Sequence, residues 1–148
     1  MRKANKNDID KIVQIRIKQQ KDIWKDEYID MYNLLSTTKT YLEKHLNNDF
    51  YAFIEEKDSD IIAICCLQII EYIPQCNDNG KHGYICNVYT SDEFRNKGIQ
   101  TNLLRKVINF AKENNLCELS LSTDSEKAIS IYKKLGFEFD TLTMKIIF

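Results

Sequence analysis

The sequence predicts one α/β (α+β) domain built on a mixed sheet, and three patterns carry that prediction. Two apolar runs, residues 50–54 and 61–70, flank the charged turn 55–60, as in an antiparallel hairpin. Further on, a strand-like run over 84–89 precedes helical spacing at Ile99, Leu103, Leu104, Val107, Ile108 and Ala111. An alternating run over 116–121 follows, and strand–helix–strand order makes a right-handed parallel crossover with helices covering the sheet. At 148 residues the chain is long enough for one domain with a full core.

Taken in order, residues 2–5 predict a short first strand. Asn7 or Asp8 offers an N-cap for a helix whose apolar face is Ile9, Ile12, Val13 and Ile17. Tyr28, Met31, Tyr32 and Leu35 predict a second helix, and Thr38, Leu42, His45 and Leu46 a third, stopped by Asn47-Asn48-Asp49. The aromatics of this region serve either the core or a lid over a substrate. Residues 74–83 hold the single proline and two of the four glycines, and predict a loop. Asn114-Asn115 ends the helix that begins after Gly98. Thr123 with Glu126 predicts a capping box, and Ala128, Ile131, Tyr132 and Leu135 a short helix closed by Gly136. From Phe137 through Phe139, Leu142, Met144, Ile146 and Phe148 the alternation predicts a terminal strand or hairpin.

Composition excludes several classes of function. Lys and Arg total 21 against 22 Asp and Glu, so there is no basic excess to hold nucleic acid. No apolar run spans a bilayer and the first residues lack the apolar core of a signal peptide, so the expected address is the cytoplasm, with no membrane partner. The five cysteines, 65, 66, 76, 86 and 117, form no C-x-x-C pair. With His45 and His82 they give no metal-ligand spacing, so neither a metal nor a disulfide framework is expected.

The stretch with chemical content is 87–104. A strand end leads through a polar loop to Gly98 and the first turn of a helix, with Arg95 and Lys97 just before the glycine. The first N–H groups of a helix have no internal partner and its dipole makes that end partly positive, so the arrangement suits a phosphate or pyrophosphate. A solvated basic connection would read the same way. The second glycine and Lys-Ser/Thr pair of a nucleotide-binding P-loop are missing.

Read together, two motifs resemble the GNAT superfamily of N-acetyltransferases, of the small, single-domain bacterial type. Arg95-Asn96-Lys97-Gly98-Ile99-Gln100 is similar to the family's Arg/Gln-x-x-Gly-x-Gly/Ala loop, with Gln100 in place of the small residue. Residues 125–137 resemble its Asn-x-x-Ala-x-x-Leu/Ile-Tyr-x-x-x-Gly-Phe, with Ser125 in place of asparagine and Tyr132 and Gly136 retained. The resemblance implies a mostly antiparallel central sheet, flanked by helices, in which one parallel strand pair splays apart.

It also implies acetyl-CoA as co-substrate, with the backbone of Arg95, Asn96, Lys97, Gly98, Ile99, Gln100 and Thr101 around the pyrophosphate. Val88, Tyr89 and Thr90 would pair with the pantetheine arm, Val88 would offer an oxyanion donor, and Ser125 would bond the cofactor. Gln100 would turn outward or touch the phosphates itself. Tyr132 would be the general acid for the departing thiolate, its alternative role being packing with Ile131 and Leu135. For the general base, Glu71 is the nearest carboxylate by position, with His82 and water as alternatives.

The implied reaction is transfer of an acetyl group to a small-molecule primary amine by direct attack in a ternary complex. A non-catalytic CoA-binding module and a protein N-terminal or lysine acetyltransferase are the alternatives. Acids Asp22, Asp26, Glu27 and Asp30 could attract a cationic amine, although Lys21 and Lys25 interleave with them. Acceptor identity and the choice between monomer and homodimer stay open.

Overall fold

The hairpin becomes the centre of a five-stranded sheet. In the computed structural model, which describes residues 1–24, 30–140 and 146, the strands stand in the order β1 (Arg2–Lys3), β2 (Phe50–Lys57), β3 (Asp60–Glu71), β4 (Lys81–Thr90) and β5 (Glu118–Ser120). Pairings are antiparallel except β4 with β5, which is parallel. The helices are α1 (Ile9–Ile23), α2 (Met31–His45), α3 (Ile99–Glu113) and α4 (Glu126–Lys134). Strand alternation sends Ala52, Ile54, Ile64 and Cys66 into a core with α1 and α2. Phe53, Cys65, Leu67 and Ile85 face the other way, packing with Leu103, Leu104 and Val107 of α3 and Tyr132 of α4. Among the described residues no helix is long and apolar enough to cross a membrane.

Several local expectations are corrected. The second and third helices are one, because the polar Ser36 and Thr37 turn their hydroxyls back onto the Asn33 carbonyl and leave the helical bonds unbroken. Tyr28 lies outside the described residues. Asp8 stands at the N-cap of α1 as expected but makes no side-chain cap bond there; a 3₁₀ turn over Lys6–Asp8 precedes it, capped by Asn5, whose side chain accepts from the Asn7 N–H while the Asp8 carboxylate accepts from the Asn5 N–H. Ser125, not Thr123, caps α4, accepting from the Ala128 N–H, and Thr123 accepts from the Ser125 N–H.

The expected loop also ends earlier, with β4 resuming at Lys81. Asp78 accepts from the Gly80 N–H at 2.7 Å and Asn79 from the Lys81 N–H at 2.9 Å, so the turn closes on its own side chains. Gly83 therefore belongs to the strand, where a Cβ would stand 2.5 Å from Leu119 and 2.8 Å from Leu67 and Leu116. Phe137 and Phe139 carry no strand, and Leu142, Met144 and Phe148 lie outside the described residues.

Candidate active site

β4 and β5 are hydrogen-bonded neighbours only over His82–Tyr84 and Glu118–Ser120. Beyond Tyr84, β4 runs on to Thr90 with its outer edge unpaired among the described residues, so the two parallel strands part. A β-bulge falls in the same segment. Between the pairs Ile64–Tyr89 and Cys66–Cys86, one residue of β3, Cys65, faces two of β4, Asn87 and Val88. Asn87 absorbs the extra length with φ 48°, a left-handed conformation that asparagine tolerates better than most side chains. Asn87 and Val88 consequently have no partner in the β3 register.

The chain leaves β4 at Thr90, makes one 3₁₀ turn over Asp92–Phe94 and enters α3. Asn96 (φ 62°) and Gly98 (φ 73°) are both left-handed. A Cβ on Gly98 would meet nothing within 4 Å, so the glycine answers a conformational demand at an open surface. The Asn102 N–H is the first to bond back into the turn, reaching the Gly98 carbonyl at 3.1 Å. From Asn96 to Thr101 every N–H lacks a partner among the described residues. Such a run of amides at a helix start is an anion cradle.

Side chains brace it. Arg95 is committed to the loop itself: its N–H bonds Asp92 O, its Nε donates to Thr90 O at 2.9 Å, and its guanidinium pairs with Asp92 and Asp22. Gln100 turns inward, its Oε1 accepting from Thr90 Oγ1 at 2.9 Å, and its buried Nε2 has no partner among the described residues. A buried amide donor left unmade beside the free N–H groups is costly unless a ligand completes it.

Tyr132, on α4, lines a cavity of about 740 Å³ beside β5 together with Tyr84, Ser120, Leu121, Thr123 and Phe137; Tyr84 is the one β4 residue in that lining. Tyr132 is only 7% exposed and its ring stands edge-on to Phe137. Among the described residues the phenol O–H has no hydrogen-bond partner, and burial pushes its pKa up to about 12. Ser125 Oγ accepts from the Ala128 N–H as the α4 cap, and its O–H donates to no described group.

Neither expected base is brought to Val88. Glu71 stands opposite Lys81, at the end of β4 remote from Val88 and on the order of 20 Å from it at strand spacing. His82 is held at that same end by Asp78, Nε2 to Oδ2 at 2.6 Å. Among the described residues no group of three or more His, Cys, Asp or Glu could hold a metal.

Two side chains that sequence reasoning passed over reach the bulge from the α1 side. Gln19 Nε2 donates to the Val88 carbonyl at 3.2 Å, and Arg16 Nη1 donates to Gln19 Oε1 at 2.8 Å. The available signal was a cation set within the apolar face Ile12-Val13-Ile15-Ile17.

The chain matches the Acetyltransferase (GNAT) family over residues 10–137. It belongs to that family. A crystal structure of a predicted acetyltransferase with acetyl-CoA, from Clostridium acetobutylicum, is 32% identical at a TM-score of 0.87, covering 99% of this chain and 94% of that one. A GCN5-related N-acetyltransferase from Ralstonia eutropha JMP134 shares the fold at 20% identity and a TM-score of 0.73, over 99% of this chain and 96% of that one. An uncharacterized N-acetyltransferase of Methanocaldococcus jannaschii is 24% identical over 93% of this chain. This GNAT chain spans 60% of that curated relative's length. The mostly antiparallel five-stranded sheet with its one parallel pair, β4 and β5, flanked by four helices, is the GNAT architecture that the two motifs imply.

Proposed function

We propose that this GNAT chain transfers an acetyl group from acetyl-CoA to a small-molecule primary amine, by direct attack with both substrates bound. The observation that carries the reading is the run of unpartnered amides from Asn96 to Thr101, continuous with the open edge of β4. The donor set fits a diphosphate: N–H groups at a helix start, the orphaned Gln100 Nε2 and the Lys97 ammonium nearby. Acetyl-CoA, when bound, supplies an acyl carbon activated as a thioester.

The chain's own residues then do the following. Val88 to Thr90 offer backbone groups along the unpaired edge to an extended ligand, as an added strand would. Val88, next to the bulge, offers its N–H where a carbonyl oxygen gains charge. Tyr132 holds its proton at Oη through the neutral range, because burial disfavours the phenolate. A phenol near 12 is a weaker acid than a thiol near 8.5, so Tyr132 serves mainly by hydrogen-bonding sulfur as charge grows there. Ser125 contributes as a cap that fixes α4 and hence Tyr132. With Glu71 and His82 at the far end of β4, the amine proton passes to water.

The test is thiol release from acetyl-CoA on addition of an amine panel, followed by mass detection of the acetylated product. Turnover with at least one small amine is expected. Tight CoA binding with no turnover for any small amine or peptide would replace this reading with that of a CoA-binding module.

A further inference from the structure

Among the described residues Arg16 is a cation without a counter-charge. It lies half-buried on α1 and lines a cavity of about 40 Å³ between α1, α2 and the sheet, together with Gln19, Tyr41, Phe50, Ile64 and Asn87. Arg2 and Arg95 each hold two carboxylates. Arg16 holds none among the described residues: a single N–H goes to Gln19 Oε1, and the other donors of its planar fork are unused. Its nearest acidic neighbours, Cys66 and Cys86, are kept neutral by burial and supply no charge. Burial lowers the Arg16 pKa, but a guanidinium starts so high that it stays charged. An unpaired, partly desolvated cation is unfavourable for the fold alone.

Its position gives it a use. The two hydrogen bonds through Gln19 put the guanidinium no more than about 8 Å from the Val88 carbonyl, at the bulge. The cavity has room for two or three waters, on the order of one carboxylate, and is tight for a phosphate. We propose that Arg16 receives the carboxylate of the acetyl acceptor, which makes the acceptor a small amino acid with its amine about one to three carbons from that carboxylate. This rests on the acetyltransferase reading. The amine nitrogen bonds the acetyl carbon, the carbon–sulfur bond breaks, sulfur leaves as a thiolate hydrogen-bonded by Tyr132, and the proton from nitrogen goes to water. Gln19, bonded to both Arg16 and Val88, is a positioning residue that fixes the distance between the two.

The experiment compares glycine with glycinamide and β-alanine with β-alaninamide in thiol release, with O-phosphoethanolamine as a phosphate arm. In parallel, N-acetyl-β-alanine and its amide are titrated calorimetrically into the CoA-loaded protein. The carboxylates are expected to exceed their amides about 10- to 150-fold in kcat/KM, the value of hydrogen bonds to a charged group. Arg16→Gln should collapse that ratio, and Arg16→Lys, with charge but no planar fork, should keep part of it. A wild-type ratio near one, a ratio unchanged by Arg16→Gln, or a preference for the phosphate arm overturns the proposal; the wild-type ratio decides even if a variant fails to fold. Carboxylate-selective calorimetric binding with no thiol release would overturn the enzyme reading and keep the carboxylate site. Thiol release without selectivity would do the reverse.

Discussion

Replacing Tyr132 by Phe separates chemistry from packing. The residue is 7% exposed and its O–H has no partner among the described residues, so removing the oxygen leaves none of their groups unsatisfied. Stability at neutral pH should therefore change by less than about 1 kcal/mol. The catalytic effect is larger. A hydrogen bond to developing thiolate charge contributes about 1.5–3 kcal/mol, a loss of about 10- to 150-fold in kcat.

Alkaline pH gives a second readout. The folded pKa, about 12, lies above the ordinary value of 10, so the folded state holds its proton where the unfolded chain has lost it. That contribution is complete below pH 10 and disappears as pH rises toward 12, about 2–3 kcal/mol in all. Tyr132→Phe should unfold less steeply over this window. Stopped-flow thiol release, CoA calorimetry and pH-jump denaturation together make the assay. Unchanged kcat would remove Tyr132 from the mechanism, and a collapse of CoA affinity would show that the phenol is instead part of the cofactor's seat.

Gln100→Ala restores the small residue of the family loop and deletes the orphaned donor; CoA affinity should fall by a few-fold to about tenfold, while the melting temperature of the free protein holds or rises. A gain in affinity would mean that Gln100 obstructs the loop. Gly83→Ala puts a Cβ against three leucines where β4 meets β5, and should cost about 1–3 kcal/mol in urea unfolding. Asp8, 4% exposed, is held below the usual carboxylate range by the Arg2 guanidinium. Its stabilisation is whole above the ordinary pKa and is lost as pH falls through the folded one. Asp8→Asn should cost about 1–3 kcal/mol at pH 7 and less at pH 3, measured by thermal melts across that range.

What could be read from the sequence was local in origin. Gly98 between a polar loop and an apolar helical stripe, and Tyr132 four residues ahead of Gly136, identify themselves by near neighbours, since caps and helix faces depend on residues within a turn or two. What could not be read depends on contacts distant in the chain. Asn87 enters the bulge only because β3 offers one residue, Cys65, opposite Asn87 and Val88. Gly83 looks like a loop glycine until Leu116 and Leu119 arrive beside it. Arg16 is an ordinary helix cation until α2 and the sheet enclose it. The alternation beyond Phe137 predicted a strand, but only residues up to 140 and 146 are described there, and none of them is in one.

The central claim is that free main-chain amides at the start of α3 hold a diphosphate. Calorimetric titration of the wild-type protein with CoA and with pantetheine, which shares the thiol arm but lacks the diphosphate, tests it directly. Several charge-assisted N–H bonds and the helix dipole act only on CoA, so CoA should bind at least about 100-fold more tightly. Equal affinities, or no binding of CoA at all, would contradict the account.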